Sequence, residues 1–333
     1  LLQKGADINI IDRDGWDALM HAVSEGYDEA VQLLLEKGAD PNKEYRDHWT
    51  PLIEAADEGH LNTIQTLLKN GAQINATAKG GRSALSQAAG EGYLHIVEFL
   101  LDNGAHAIGE ADYGTPLMEA AEEGQLDIVK LLIKKGVEVN AIDQDGRSAL
   151  AEAAEEDHLQ IVKYLLDHGA EVDLKAQNGR TALMEAVGEG NKTIAALLLS
   201  RGANVNAQTT GFQKFIYMND AVIYGVKGWT PLLEAVEEEE TEMIHLLIQH
   251  GANINVGIEK KINDLKTEKT TVHQGWTPLM EAVQTEELRL VQLLIKLGAD
   301  PRQTTKAGLT ALDIAIEAAD DEIIRYLEGV TGK

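Results

Sequence analysis

The nine residues GWTPLMEAV (Gly275–Val283) nearly repeat GWTPLLEAV at Gly228–Val236. Two further copies are HWTPLIEAA at His48–Ala56 and YGTPLMEAA at Tyr113–Ala121. Thr-Pro is typical of a helix start, because the threonine hydroxyl caps the first turn and proline suits the first helical position. Repetition of this helix start predicts a chain assembled from copies of one helical unit.

The glycines that follow each copy give the length of this unit. They recur at intervals of 32 or 33 residues, and the last two intervals lengthen to 49 and 47 residues. Their positions are Gly38, Gly71, Gly104, Gly136, Gly169, Gly202, Gly251 and Gly298. The period therefore predicts a repeat array, in which inserts at residues 208–227 and 257–274 account for the two long intervals.

Each unit is predicted to contain two helices. The first is short, buries Leu, Ala and Ala or Val, and ends at a glycine such as Gly124. The second, exemplified by LDIVKLLIKK at Leu126–Lys135, has a broad apolar face. Gly136 then suits the left-handed position that closes a helix, and DQDG at Asp143–Gly146 has the residues of a turn. The unit is therefore helix–turn–helix–loop.

A helix–turn–helix–loop unit of 33 residues with T-P-L and G-A-D-x-N motifs resembles the ankyrin repeat, over nearly the whole chain. The resemblance implies an all-α solenoid with two β-hairpin-like inserts, forming one array over residues 1–333. Residues 1–10 are expected to be a partial repeat, and residues 308–333 a C-terminal cap. Nine full repeats are expected to start near Gly15, His48, Gly81, Tyr113, Gly146, Gly179, Gly228, Gly275 and Gly308. Because the chain opens inside a repeat, we expect further repeats or another domain before Leu1.

The chain departs from the ankyrin pattern at two kinds of position. In the family, a histidine after T-P-L ties neighbouring repeats together by hydrogen bonds, and here apolar residues replace it. These are Met118, Met184, Leu233 and Met280. The resemblance therefore implies that such ties are missing at this position. In the last repeat, Asp320-Asp321 is expected to replace the glycine between the two helices.

The composition limits the kinds of partner. A net charge of −26 repels a phosphate backbone, so we expect no nucleic-acid partner; it suits a basic partner, or simply high solubility. No apolar run approaches the roughly 18 residues that a membrane span needs, so no membrane partner is expected. The absence of cysteine excludes disulfides and thiolate chemistry. We expect an intracellular, cytoplasmic protein.

The sequence contains no recognisable catalytic or metal-binding motif. The patterns H-E-x-x-H, G-x-x-x-x-G-K-[ST] and G-x-G-x-x-G are all missing. The ten histidines are scattered, and none has the spacing and supporting ligand that zinc prefers. We therefore predict a protein without catalytic residues, metal ion or cofactor, which is not an enzyme.

The seventh place of the nine-residue motif holds glutamate in all four copies quoted above. In repeats two, four, five and seven, two further acidic residues follow three and four places later. This spacing puts them on one helix face, so stacked repeats should align them into an acidic band. Like charges at this spacing cost a few tenths of a kcal/mol per pair, so stability does not explain them. In the ankyrin family this part of the first helix lines the concave groove, which implies partner binding. The alternative to partner binding is a solvent-exposed helix face that was copied when the repeats were duplicated. The candidate residues are Glu54, Asp57, Glu58, Glu119, Glu122, Glu123, Glu152, Glu155, Glu156, Glu185, Glu189, Glu234, Glu237, Glu238 and Glu281.

The hairpin position just before the first helix of a repeat holds tryptophan or arginine in most repeats. These are Trp16, Trp49, Arg82, Arg147, Arg180, Trp229 and Trp276. Both residue types are enriched at binding hot spots, so they are candidate partner contacts. Packing against the next hairpin, with cation–π contacts, is the alternative.

The two inserts are predicted to be β-hairpins. The first is rich in aromatic residues and should turn about Asn219-Asp220; the second has four lysines against three acids and should turn about Asn263-Asp264. Because they replace the same loop in consecutive repeats, they should lie side by side and pair as a small sheet. The aromatic candidates for partner contact are Phe212, Phe215, Tyr217 and Tyr224. Burial of the two hairpins against each other is the alternative.

These observations favour a non-catalytic scaffold that recognises a basic protein surface or peptide, with electrostatic steering. One alternative is a small-ligand sensor, similar to an ankyrin domain that binds a nucleotide, in which Trp229 or Trp276 stacks on a base. Another alternative is an acidic nucleic-acid mimic that inhibits a nucleic-acid-binding protein.

Overall fold

The computed structural model describes residues 7–107, 115–211, 213–217, 222–264 and 269–332. For residues 213–217, 222–224, 262–264 and 269–270 it describes the backbone alone. These parts contain 18 α-helices and four β-strands. They fall into two compact units, unit 1 (Leu1–Ala170) and unit 2 (Glu171–Lys333). The single array over residues 1–333 stays a prediction.

Unit 1 consists of five helix pairs, each a helix of seven residues followed by one of nine. A 3-10 turn at Arg46–His48 precedes the second pair. The helices are α1 (Ala18–Ser24), α2 (Asp28–Glu36), α3 (Pro51–Asp57), α4 (Leu61–Lys69), α5 (Ala84–Gly90), α6 (Leu94–Asp102), α7 (Pro116–Glu122), α8 (Leu126–Lys134), α9 (Ala149–Glu155) and α10 (Leu159–Asp167).

Unit 2 has four pairs among its described residues; three have helices of seven and nine residues, and the last has helices of 8 and 11 residues. Its helices are α11 (Ala182–Gly188), α12 (Lys192–Ser200), α13 (Pro231–Glu237), α14 (Thr241–Gln249), α15 (Pro278–Gln284), α16 (Leu288–Lys296), α17 (Ala311–Ala318) and α18 (Asp321–Thr331). Among the described helices, none combines the length and the apolar content that crossing a bilayer requires.

The helix boundaries follow from the Thr-Pro starts and the glycine ends. The hydroxyl of Thr50 accepts a hydrogen bond from the Ile53 N–H, and Pro51 occupies the first helical position of α3. At the other end of a pair, Gly136 follows α8 with φ 88°, a backbone conformation that L side chains rarely adopt. The local sequence therefore sets both the start and the stop of each pair.

Between the two helices of a pair, four repeats place a residue other than glycine in the left-handed conformation. These residues are Asp157, Glu239, Glu286 and Ala319, with φ between 57° and 62°. In the last repeat the glycine place is thus taken by Ala319, not by Asp320-Asp321, because the Asp320 side chain caps α18 by accepting from Glu322 and Ile323 N–H groups. Each such residue costs about 1–2 kcal/mol relative to glycine.

Within each unit the first helix of a repeat packs on the first helix of the next, and the second helix packs on the second. Met118 and Met184, at the place of the family histidine, are buried among these helices. Hydrogen bonds between repeats come from other residues. The Asn42 side chain donates to Gly71 O (2.9 Å) and accepts from the Gln73 N–H (2.7 Å). His158 Nε2 lies 2.8 Å from Glu122 O. Neighbouring repeats are therefore tied without the T-P-L histidine.

The two inserts form one antiparallel sheet in the order β1-β2-β3-β4, as the sequence predicted. Its strands are β1 (Gln213–Tyr217), β2 (Val222–Lys227), β3 (Ile258–Asp264) and β4 (Lys269–Trp276). The predicted turn at Asn219-Asp220 lies outside the described residues. The turn predicted at Asn263-Asp264 was wrong: both residues are in β3, opposite Thr270 and Lys269. Pairing of Asp264 with Val222 of β2 extends the strand through this dipeptide.

Candidate partner-binding surface

The glutamate in the seventh place binds the residue five positions before it in five repeats. Three of the donors are tryptophans: the indole Nε1 of Trp49, for example, lies 2.7 Å from Glu54 Oε2. The same bond joins Trp229 to Glu234 (2.5 Å) and Trp276 to Glu281 (2.7 Å). Two donors are arginines, in the pairs Arg147–Glu152 (2.9 Å) and Arg180–Glu185 (2.7 Å). We call these five contacts the hairpin–helix pairs, because each joins a hairpin to the helix that follows it.

The hairpin–helix pairs bury several of the residues that the sequence suggested for partner contact. Trp229 and Trp276 are only 1% and 2% exposed. Of the glutamates in the seventh place, Glu54, Glu152, Glu234 and Glu281 are buried, while Glu119 and Glu185 are half-buried. The other candidates at the hairpin position are less buried: Arg180, Trp16 and Trp49 are half-buried, and Arg82 and Arg147 are exposed. The buried members hold the repeat together, and a partner can reach the others.

The next two acidic places are progressively more exposed. Asp57, Glu122, Glu155 and Glu237 are half-buried, and Glu58, Glu123, Glu156, Glu189 and Glu238 are exposed. We call the residues of unit 1 the band of unit 1: Asp57, Glu58, Glu91, Glu122, Glu123, Glu155 and Glu156. The band of unit 2 consists of Glu189, Glu237 and Glu238. Glu91, the only acidic residue of the three places in repeat three, was not among the predicted contacts.

Carboxylates of neighbouring repeats lie close together in unit 1. Partial desolvation, followed by the carboxylates of Asp57 and Glu123, raises the pKa of Glu91. These three residues belong to consecutive repeats, so the repeats stack in register. Burial and the nearby Glu122 likewise raise the pKa of Glu119. Within unit 1 the carboxylates of repeats two to four are therefore close enough to repel one another.

The band of unit 2 has the same character. Desolvation and the nearby Glu189 of the preceding repeat raise the pKa of Glu238. Burial and the carboxylate of Glu281 raise the pKa of Glu237 to about 8. Lys260 acts against this rise.

A cleft of about 620 Å³ opens in unit 1. It is lined by both signs of charge, including Glu91, Glu119, Glu122 and Glu152 with Arg82 and Arg147, and by the apolar Met118. Burial raises the pKa of Glu152 to about 8, although Arg147 opposes the rise. The cleft therefore combines crowded carboxylates with two guanidinium groups.

The second insert contributes a lysine to unit 2. Lys260, on β3, is 3% exposed, and its Nζ lies 2.8 and 2.7 Å from the two carboxylate oxygens of Glu281. It also lies 2.6 Å from Gln284 Oε1 and 4.8 Å from the ring centroid of Trp276. The lysine-rich composition of the insert was the available signal for this contact, since a cation is needed where carboxylates crowd.

The aromatic residues of the first insert lie mostly on the sheet. Phe215 and Tyr217 are in β1, and Tyr224 in β2 pairs with Phe215 across the sheet. Phe212 lies outside the described residues. Among all the residues that the structure describes, no group of three or more acidic or histidine side chains could hold a metal ion.

The raised pKa of Glu237 predicts a pH-dependent stability. Its folded pKa of about 8 lies above the ordinary value of 4.5, so its contribution is full below about pH 4.5 and is lost as the pH rises towards 8. Glu237→Gln is therefore expected to raise the free energy of unfolding at pH 9 by about 1–2 kcal/mol, the linkage being reduced by partial solvation. At pH 5 the gain should vanish.

Urea denaturation at the two pH values measures this difference. Glu328→Gln, an exposed residue of α18, removes the same charge and serves as the control. An equal effect of Glu237→Gln at both pH values would contradict the prediction.

Comparison with known proteins agrees with this architecture. Models of three ankyrin repeats match residues 1–78, 75–143, 117–209 and 256–330, and a single-repeat model matches residues 227–257. The chain belongs to the ankyrin repeat family. Ankyrin repeats are generally protein-interaction scaffolds, and proteins built from them are typically non-enzymatic. A search of curated proteins finds no match.

Proposed function

We propose that this chain is a non-catalytic scaffold that binds a basic protein surface or peptide through the acidic bands of its two units. The observation that carries the proposal is the crowding of carboxylates from consecutive repeats: desolvation, and then these neighbouring carboxylates, raise the pKa of Glu91 and Glu238. A partner's lysines and arginines would relieve this repulsion, so part of the binding energy comes from charges already held in place.

The hairpin–helix pairs narrow the proposal to particular residues. Buried glutamates such as Glu234 act as internal acceptors, so a partner would meet the exposed members of each band. In unit 1 these include Glu58, Glu123 and Glu156, and in unit 2 Glu189 and Glu238. Arg82 and Arg147 would then orient the partner by repelling misplaced cations.

The sheet formed by the inserts is proposed as a second contact. Its first hairpin brings Phe215 and Tyr224 opposite each other in register, and aromatic residues are enriched at interfaces. Such a contact would add shape selectivity to the electrostatic attraction of the band.

The sequence also suggested a nucleotide sensor. The indole N–H groups of Trp229 and Trp276 are already bonded to glutamates and both rings are covered, so base stacking would require their displacement. The nucleic-acid mimic shares the basic-partner chemistry, and its partner would be the basic groove of a nucleic-acid-binding protein. An intracellular location stays a prediction.

Binding of a lysine-rich peptide, measured by isothermal titration calorimetry at low and high salt, tests the proposal. The triple variant Glu58→Gln, Glu123→Gln, Glu156→Gln is expected to weaken binding by about tenfold at low salt and to reduce its salt dependence. The control removes three exposed glutamates outside the band, as Glu36→Gln, Glu98→Gln, Glu138→Gln. Equal affinity in both variants, with no salt dependence, would exclude the band as the binding surface.

A further inference from the structure

In the second insert, a buried ring nitrogen of His273 has no hydrogen-bond partner among the described residues. The residue lies in β4 and is half-buried, and its Nδ1 atom is the buried one. Its ring meets Trp276 edge-on, with 5.3 Å between the ring centroids and 60° between the planes. The other such side-chain atom in the described residues, Thr181 Oγ1, belongs to a hydroxyl, which has no charged form near neutral pH. His273 is therefore the one of the two whose charge can change in that range.

The neutral form of this ring fits its surroundings, and the protonated form does not. A neutral imidazole carries one N–H, which can be at Nε2, and Nδ1 then remains an acceptor. Protonation adds an N–H at Nδ1, where the atom is buried and meets no acceptor among the described residues. A buried donor without an acceptor carries the full cost of its desolvation, and the cost is larger for a charged group.

The charges around His273 oppose protonation, with one exception. Lys260 of β3 lies directly opposite His273 in the strand register, and like charges at opposite positions destabilise a sheet. Glu317 of α17 is the exception, but its side chain is exposed and its attraction is screened by solvent. Burial lowers the pKa of His273 from its ordinary value of 6.5; the Glu317 carboxylate opposes this and the Lys260 ammonium adds to it.

His273 stands beside the contacts that join the sheet to α15. Lys260 donates to both oxygens of Glu281, at 2.8 and 2.7 Å, and the indole of Trp276 donates to the same carboxylate at 2.7 Å. Both donors are buried. Because the Glu281 carboxylate already serves these two donors, a second cation on the sheet would compete for it. A proton on His273 therefore weakens the attachment of the sheet.

We propose that His273 is a pH-sensitive latch, whose protonation releases β3 and β4 from α15 in mild acid. The two states are a docked sheet with a neutral ring and a released sheet with a charged ring, and the proton shifts the population between them. The inference concerns this chain alone. It goes beyond the proposed scaffold function and does not depend on a partner.

Hydrogen–deuterium exchange at pH 7.5 and pH 5.5 tests the latch, with exposure times corrected for the intrinsic pH dependence of amide exchange. If the released state alone accepts the proton, with the ordinary pKa of 6.5, its population relative to the docked state rises about tenfold between these pH values. The protection of β3 and β4 in the unaltered chain is therefore expected to fall by about tenfold.

Two variants without a titrating ring show whether His273 causes the fall. His273→Gln keeps a polar side chain, His273→Phe keeps a ring, and each should hold the same protection at both pH values. His245→Gln, which replaces an exposed histidine of α14 in the same unit, is the matched control and should show the full fall.

The ring can also be followed directly, by the NMR signals that disappear in His273→Gln. Their titration midpoint in the unaltered chain is expected below 6.5. A midpoint at or above 6.5 overturns the latch, whether or not the variants dock their sheet. Protection in the unaltered chain that is equal at both pH values, or that falls equally in the His273 variants, overturns it as well. The scaffold proposal stands or falls separately, since no peptide enters these measurements.

Discussion

Glu281→Ala is expected to lower the free energy of unfolding of unit 2 by about 3–5 kcal/mol. Glu281 is buried and accepts hydrogen bonds from the Lys260 ammonium through both oxygens and from the Trp276 indole. Its removal leaves the buried Lys260 ammonium without a counter-charge, although the Gln284 side-chain oxygen still accepts from it, and leaves the buried Trp276 N–H without its acceptor. Because burial makes hydration unavailable to both groups, the full cost of desolvation appears in the stability.

Urea denaturation followed by tryptophan fluorescence measures this loss. Glu238→Ala, an exposed glutamate of the band of unit 2, is the matched control and should change stability by less than about 0.5 kcal/mol. The double variant Lys260→Met, Glu281→Leu replaces the ion pair with apolar groups and should recover most of the loss. A loss below about 1 kcal/mol in Glu281→Ala would contradict a buried ion pair at this place.

Arg180→Met is expected to lower the free energy of unfolding of unit 2 by about 2–4 kcal/mol at pH 8. Its guanidinium contacts Glu185 and Glu234, and burial already raises the pKa of Glu234. Without the cation, both carboxylates must protonate or remain charged in a partly apolar site. Protonation is available at pH 5, so the loss should be smaller there and should grow as the pH rises.

Thermal and urea denaturation at pH 5 and pH 8 check this expectation. Arg180→Lys should recover only part of the loss, since an ammonium does not span both carboxylates as the guanidinium does. Arg289→Met, an exposed arginine of α16, controls for the change of charge. A loss independent of pH would mean that packing of the arginine stem, rather than its charge, stabilises the repeat.

The helix pairs could be predicted because their determinants are local. A Thr-Pro start, an apolar face and a glycine with φ near 90° each act within a few residues, and their period repeats along the chain. Pairing of the two inserts could also be predicted, from their position in consecutive repeats.

The burial of the seventh-place glutamate could not be predicted from helix periodicity. Its donor lies five residues earlier, across the capping residue, where helical spacing does not apply. A signal was present in the sequence, because a tryptophan or arginine stands five places before the glutamate in five repeats. These residues are Trp49, Arg147, Arg180, Trp229 and Trp276.

Two further features depend on contacts between distant segments. The contact of Lys260 with Glu281 joins residues 21 positions apart and requires knowledge of how the sheet lies on α15. The misplaced turn at Asn263-Asp264 has a similar origin, because pairing with β2 overrides the turn preference of that dipeptide.

The contact between the Lys260 ammonium and Glu281 joins the second insert to the helix pair that follows it, α15 and α16. An insertion of this kind would ordinarily be removable, since loops tolerate changes of length. Deletion of residues 257–274 would here remove Lys260 and leave the buried Glu281 carboxylate without its cation. Anyone shortening this protein, or transplanting the hairpin to another scaffold, must move Glu281 and Lys260 together or replace both.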